Sequence, residues 1–214
     1  MNNKLAIKKK LICVSGMVGI GKTTFVEKLG DLIGAEVLYE NIGDISFFDN
    51  CYTDFKQWSF IMQLKFLIKR FEQQGIIQET ENDSIIIDRC IYEDADIFSR
   101  MHFEKGNMGK HEYEMYNELY NLIIENREYK PLDLMIYLDG PFDKIIDRIK
   151  ARGRKTEVSA PIEYWQELYW RYNKWIENFK CCDVIKINIM DYDCDDVDSM
   201  KLIKDKIVSY IDWL

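Results

Sequence analysis

Residues 16–23 read Gly-Met-Val-Gly-Ile-Gly-Lys-Thr and match G-x-x-x-x-G-K-[ST] at every fixed position. The apolar run KLICVS (Lys10–Ser15) precedes the motif, and TTFVEKL follows it with helical character. A buried strand that feeds a glycine loop and then a helix has few architectures open to it. It calls for a parallel sheet with helices on both faces. The glycines let successive backbone N–H groups turn into one concavity, and the helix N-terminus adds the positive end of its dipole. Such a cradle takes phosphate. Lys22 is placed to reach the β- and γ-phosphates and the Thr23 hydroxyl to ligate Mg²⁺.

The rest of the chain fits that frame. Strand-like segments at Lys10–Ser15, 35–39, Ser84–Asp88, Leu134–Asp139 and 184–189 alternate with helical ones at 23–33, 54–71, 91–103, 110–127, 141–152, 161–179 and 200–213. The expected fold is α/β, a P-loop kinase fold with five parallel strands, in one domain spanning 1–214. Pro141 opens its helix at the first position, where the missing N–H costs nothing. The aromatics of YWQELYWRYNKW, Trp165, Tyr169, Trp170, Tyr172 and Trp175, recur at helical spacing and read as core packing or a subunit face. The five aspartates among residues 191–198 read as a solvated loop.

Ligands of such sheets sit beyond the carboxyl ends of the strands. Glu40 closes the second strand segment (EVLYE), and Asp88 closes the third, followed at once by Arg89 (IIIDRC). A carboxylate there can take the proton from an alcohol attacking a γ-phosphoryl group, a second can hold the metal shell, and an arginine can orient the nucleophile. Asp139, at the end of the fourth strand, is equally placed. Arg148, Lys150, Arg152, Arg154 and Lys155 crowd one stretch, with a helix break at Gly153. A cationic flap of this kind can close over phosphates and exclude water.

Lys plus Arg number 29 and Asp plus Glu 37, for a net charge of −8. That balance argues against a nucleic-acid coat or an anionic-membrane binder. No stretch approaches a membrane span, and the basic N-terminus lacks a long apolar run. The six cysteines, Cys13, Cys51, Cys90, Cys181, Cys182 and Cys194, show no zinc-like spacing and read as reduced thiols of a cytoplasmic protein. His102 and His111 are the only histidines and read as surface residues.

These features together resemble the deoxynucleoside kinases that act on deoxycytidine, deoxyguanosine and deoxyadenosine, over nearly the full chain. Beyond the P-loop, the resemblance rests on Glu40 after the second strand and on the helix YTDFKQWSFIMQLKFL from Tyr52. It also rests on Asp88-Arg89-Cys90, like the family's acid-Arg-Ser motif, and on an arginine lid over 148–158 ending near Glu157. It implies ATP and Mg²⁺ as cofactors, with ATP held by Gly16, Met17, Val18, Gly19, Ile20, Gly21, Lys22, Thr23, Thr24, Arg152 and Arg154. Glu40 would take the proton from the sugar 5′-OH, Arg89 would hold that oxygen, and Thr23 and Asp88 would ligate Mg²⁺. Tyr52 and Glu157 would bind the 3′-OH. Gln63 would pair with the base, Phe98 stack on it, and Met62 and Trp58 line the pocket. The resemblance also implies a homodimer through helices beginning near Asp54 and Lys110. Cys90 replaces the usual Ser, Met62 stands where an aromatic is frequent, and the adenine of ATP would lie near residues 191–193.

Gln63 and Arg70 are seven apart, almost two helical turns, so both face one way. Asp94 and Phe98 are four apart on the next helix. An inward Arg70 needs a counter-charge, and Asp94 supplies one. In the resemblance this Arg–Asp pair belongs to members that accept deoxycytidine and purine deoxynucleosides. A carboxylate accepts from an exocyclic amino group, whereas thymine offers O4 and a methyl there. The wider space beside Met62 favours deoxyadenosine or deoxyguanosine over deoxycytidine. Two other readings compete. A thymidylate-kinase-like monophosphate kinase shares the loop and lid, but Glu40 would repel an acceptor phosphate. A P-loop regulatory ATPase would leave Gln63, Arg70 and Asp94 without purpose.

Overall fold

The computed structural model describes residues 10–40 and 48–208. Residues 1–9, and the stretch past residue 208 where the last helix was expected to continue, lie outside it. Five strands form one parallel sheet: β1 (Lys10–Ser15), β2 (Glu36–Leu38), β3 (Ser84–Asp88), β4 (Leu134–Asp139) and β5 (Asp183–Asn188). Their order is β2-β3-β1-β4-β5, so the chain passes from β1 to the edge strand β2, returns to insert β3 beside β1, and then builds outward on the other side. The reversal opens a crevice beyond the carboxyl end of β1. In register, Val14 of β1 lies beside Asp88, and Ser15 beside Tyr137.

β3 is buried along its whole length, and β1 at every position after Lys10, as unbroken apolar strands must be when helices cover both faces. β2, at the edge, is half-buried throughout. It stops at Leu38, so Glu40 stands two residues past the strand rather than at its last position.

The helices are α1 (Lys22–Ile33), α2 (Phe48–Thr53), α3 (Phe55–Glu79), α4 (Ile91–Glu93), α5 (Arg100–Glu104), α6 (Lys110–Ile124), α7 (Phe142–Arg152), α8 (Lys155–Ser159), α9 (Ile162–Asn178) and α10 (Val197–Val208), with a π-helical segment, Asp94–Ser99, between α4 and α5. α3 runs to Glu79, two turns past the expected end. Gly75 costs a helix about 1 kcal/mol, but burial of Gln73 and Ile77 on either side of it carries the helix through. On α9, Trp165, Leu168, Tyr172 and Ile176 enter the core while Trp170 stays outside. No helix of the described residues is long and apolar enough to cross a membrane.

Candidate active site

One cavity of about 830 Å³ opens at the carboxyl ends of the strands. Its mouth is the glycine loop. Gly16 (φ +144) and Gly19 (φ +82) hold conformations that side chains rarely adopt. A Cβ on Gly16 would stand 2.6 Å from the Leu138 carbonyl, and one on Gly19 2.4 Å from Ile149. Val18, Gly19, Gly21, Lys22, Thr23 and Thr24 line the cavity. Met17 and Ile20 bury their side chains in the core, so those two expected phosphate-site residues offer only backbone. The Lys22 ammonium donates to the carbonyls of Gly16 (2.8 Å) and Met17 (3.0 Å). Burial and the nearby Arg89 pull its pKa down to about 8.

Thr23 Oγ1 donates to Asp88 Oδ2 at 2.8 Å. The other oxygen, Asp88 Oδ1, is buried without a hydrogen-bond partner among the described residues. A hydroxyl and an under-satisfied carboxylate oxygen beside a phosphate loop are the donor set of a Mg²⁺ site, so the residues fit the metal. Asp139 instead accepts from the N–H of Gly140 (2.8 Å) and is absent from the cavity wall, which Asp88 and Glu40 line.

Behind the loop runs a chain of alternating charge. Arg70 Nε donates to Asp94 Oδ2 at 2.7 Å, and Arg70 Nη2 to Glu40 Oε1 at 2.9 Å. Arg89 Nε donates to Glu40 Oε2 at 2.9 Å, and Arg89 Nη1 to Glu93 Oε2 at 3.2 Å. Burial alone would raise the Glu40 pKa, but Arg89, Arg70 and Lys22 outweigh it and hold the carboxyl below its usual value. Glu40 is therefore ionised at neutral pH. Arg89 sits at φ +69, the only non-glycine residue among those described in the left-handed region, and its N–H donates to Val14. Strain of this kind persists only where the surroundings enforce it, and it gathers at functional sites.

The far end of the cavity is built from α2, α3 and the π-helical segment. Met62, Gln63, Asp94 and Phe98 line it. Gln63 Oε1 is buried with no partner among the described residues, an acceptor waiting for a donor. Phe98 presents its ring to the cavity, with the Arg89 guanidinium 5.6 Å from the centroid. Arg70 does not reach the wall; it lies behind Asp94 and Glu40. Trp58, expected on the wall, packs against Met62 and Cys51 instead, because the lining face of α3 runs through Phe55, Met62, Gln63 and Phe66. A π-helical turn between ordinary helical turns is frequent at functional sites.

The lid follows α7. Arg152 and Arg154 both pair with Glu157, which is 1% exposed, and all three line the cavity with Tyr52 and Arg148. Arg148 Nη1 donates to the Ile20 carbonyl at 2.6 Å, tying α7 to the phosphate loop. Tyr192, Asp193, Cys194 and Asp195 close the outer wall, where the adenine loop was expected.

Several neighbours escaped the sequence reading. His102 is a correction: it is 2% exposed, not a surface residue, and it lines the cavity. Its Nδ1 meets Ser59 Oγ (3.0 Å) and Asn107 Nδ2 (3.2 Å), partners from outside its own helix. Glu93 was missed, although its i,i+4 spacing from Arg89 was visible. Tyr172, read as packing, donates to Glu93 at 2.8 Å. Cys51, Phe55, Phe66 and Tyr164 also line the cavity, without any local signal in the sequence.

The chain is similar to known proteins over most of its length. The family model described as "Deoxynucleoside kinase" matches residues 12–212. A deoxyadenosine/deoxycytidine kinase of Bacillus subtilis (strain 168) is 38% identical over 205 residues, covering 95% of this chain and 94% of that one. A deoxyadenosine kinase of Dictyostelium discoideum is 32% identical over 191 residues, covering 88% and 76%. Among solved structures, deoxyadenosine kinase from M. mycoides with bound dATP aligns with TM-score 0.79 and 28% identity, over 92% of this chain and 98% of that one. The same enzyme with the products dCMP and dCDP aligns with TM-score 0.80 and 29% identity, over 93% and 99%.

Proposed function

The chain belongs to the deoxynucleoside kinase family, and from that premise we propose that it moves the γ-phosphoryl group of ATP to the 5′-hydroxyl of an amino-bearing 2′-deoxynucleoside, with deoxyadenosine or deoxyguanosine favoured. It is a phosphotransferase of nucleoside salvage. One observation carries the finer reading. A single cavity joins the phosphate loop to Gln63 and Asp94, and the Glu40–Arg89 pair stands between its two ends.

Each residue then has a task. Glu40 accepts the 5′-hydroxyl proton as that oxygen bonds to the γ-phosphorus, and the β–γ bridging oxygen leaves with the electron pair. Arg89 orients the attacking oxygen. Lys22, Arg152 and Arg154 surround the phosphates, and the glycine loop supplies N–H donors. Thr23 and Asp88 would hold Mg²⁺, which would supply positive charge to the phosphates. Tyr52 and Glu157 take the 3′-hydroxyl. Gln63 Oε1 accepts from the amino group of the base, and Asp94 refuses the O4 of thymine because two acceptors would face each other.

The protein acts as a homodimer in the cytoplasm. Ile61, Ile68 and Phe71 on α3 and Met115 and Leu122 on α6 lie exposed, an apolar stripe that a second copy would cover. The test is an initial-rate panel with Mg·ATP and deoxyadenosine, deoxyguanosine, deoxycytidine, thymidine or dTMP as acceptor, products separated. Monophosphates from the amino-bearing nucleosides, with little from thymidine, are expected. Diphosphate from dTMP alone, or ATP hydrolysis that no acceptor raises, would refute the reading.

A further inference from the structure

Arg89 is held from both sides. Glu40 takes its Nε, while Nη1 meets Glu93 Oε2 and the Tyr172 hydroxyl, the latter at 2.5 Å. Glu93 is fully buried and does not line the cavity. Its carboxylate receives four donors: Ser15 Oγ at 3.0 Å, Tyr172 Oη at 2.8 Å and Arg89 Nη1 on one oxygen, and the Cys90 N–H at 3.0 Å on the other. Burial pushes its pKa up, while the Arg89 guanidinium and the Cys90 N–H, which can only donate, favour the anion. Cys13 and Cys90 bring their sulfurs within 4.8 Å of this carboxylate.

We propose that Glu93, with Tyr172, is a positioning residue that holds the Arg89 guanidinium in place during phosphoryl transfer. The inference rests on the reading in which Glu40 and Arg89 act on the 5′-hydroxyl. When Glu40 takes the proton it loses its charge, and Arg89 loses one of its two ion pairs. Glu93 is the partner that keeps its charge. It stops the guanidinium from moving away at the moment when the attacking oxygen needs it. Ser15, on the central strand, and Tyr172, on α9, lock the carboxylate to two rigid elements. Glu93→Gln keeps the shape but puts an NH₂ group where a donor already points. It must face either Arg89 Nη1 or the Cys90 N–H.

The experiment is steady-state kinetics on the full chain for Glu93→Gln, Arg89→Ala, Glu40→Gln and the double variant Glu93→Gln/Arg89→Ala, with melting curves for each. Glu93→Gln is expected to lower kcat about 100-fold, the cost of a misplaced catalytic group. KM for deoxyadenosine and ATP should stay within about threefold, since Glu93 touches neither substrate. In the Arg89→Ala background the same substitution should cost nothing further in kcat, because the residue it positions is gone. A kcat within about threefold of wild type, or a loss that repeats in full without Arg89, would overturn the inference. If Glu93→Gln does not fold, Tyr172→Phe replaces it in the same cycle, with a fall in kcat of about tenfold expected and unchanged kcat counting against the inference. Wild-type turnover in Glu40→Gln would instead defeat the reading of the reaction itself, so the two failures are distinct.

Discussion

Replacing Glu40 by Gln separates chemistry from architecture. Glu40 accepts from Arg89 and from Arg70, each at 2.9 Å, and its side chain is 15% exposed. The amide keeps one acceptor and turns an NH₂ toward one arginine. Neither arginine is stranded, because Arg70 keeps Asp94 at 2.7 Å and Arg89 keeps Glu93 at 3.2 Å. The loss is one charge-assisted hydrogen bond and part of another, less the cost of holding the Glu40 charge out of water. That comes to about 2 kcal/mol. For a chain of this size it lowers the melting temperature by about 4–8 °C, so the variant stays folded at 25 °C. Chemistry loses more. A missing general base costs about 10²–10⁴ in kcat, or about 3–5 kcal/mol. The deoxyadenosine KM should move less than about tenfold, because Gln63, Tyr52 and Glu157 are untouched. The assay is quenched-flow formation of the 5′-monophosphate at saturating Mg·ATP, beside a calorimetric melt. Turnover within about tenfold of wild type in a folded variant would remove Glu40 as the base.

Other expectations follow from single contacts. Arg70→Met paired with Asp94→Ala removes a buried ion pair without stranding either partner. It should raise the kcat/KM ratio of thymidine to deoxyadenosine by at least about tenfold, and an unchanged ratio would place the pair outside base recognition. Lys22, with its pKa near 8, attracts phosphate as a cation only while protonated. ATP affinity measured by calorimetry should weaken as pH rises above 8, and a flat profile from pH 7 to 9 would contradict that role. Burial, with Lys105 and Arg171 adding to it, lowers the pKa of His102 to about 4 from 6.5. The unfolded chain then takes up that proton first, so stability is full above pH 6.5 and falls as pH drops toward 4, by up to about 3 kcal/mol. In urea titrations His102→Gln should flatten this slope, and an unaltered slope would assign it to other groups.

The glycine loop was legible because its signal is local: eight residues whose strand and helix flanks sit beside them in the chain. Asp88 and Arg89 were legible because strand ends meet at one edge of a parallel sheet, and Glu40, two residues past its strand, still reaches that edge. Arg70 and Asp94 were found from helical spacing and the cost of an unpaired charge, and the pair is there at 2.7 Å. That Arg70 also holds Glu40 was beyond reach, since 30 residues separate them and only the fold brings them together. Tyr172 was hidden because an amphipathic aromatic stripe looks the same whether its hydroxyl is idle or bound. His102 was misread because a polar side chain signals exposure until Ser59 and Asn107 are known to satisfy it. The π-helical segment left no mark in side-chain periodicity, and the passage of α3 through Gly75 was decided by burial on neighbouring turns.

The most direct test is a competition. Deoxyadenosine, deoxyguanosine, deoxycytidine, isotope-labelled thymidine and unlabelled dTMP are mixed at equal concentration with Mg·ATP and the purified chain, and products are resolved by mass at low conversion. Product ratios then equal ratios of kcat/KM. Deoxyadenosine or deoxyguanosine monophosphate should form first, deoxycytidine monophosphate less, and thymidine monophosphate least. Thymidine monophosphate in excess, or dTDP as the main product, would contradict the assignment of Glu40, Arg70 and Asp94 to an amino-bearing nucleoside.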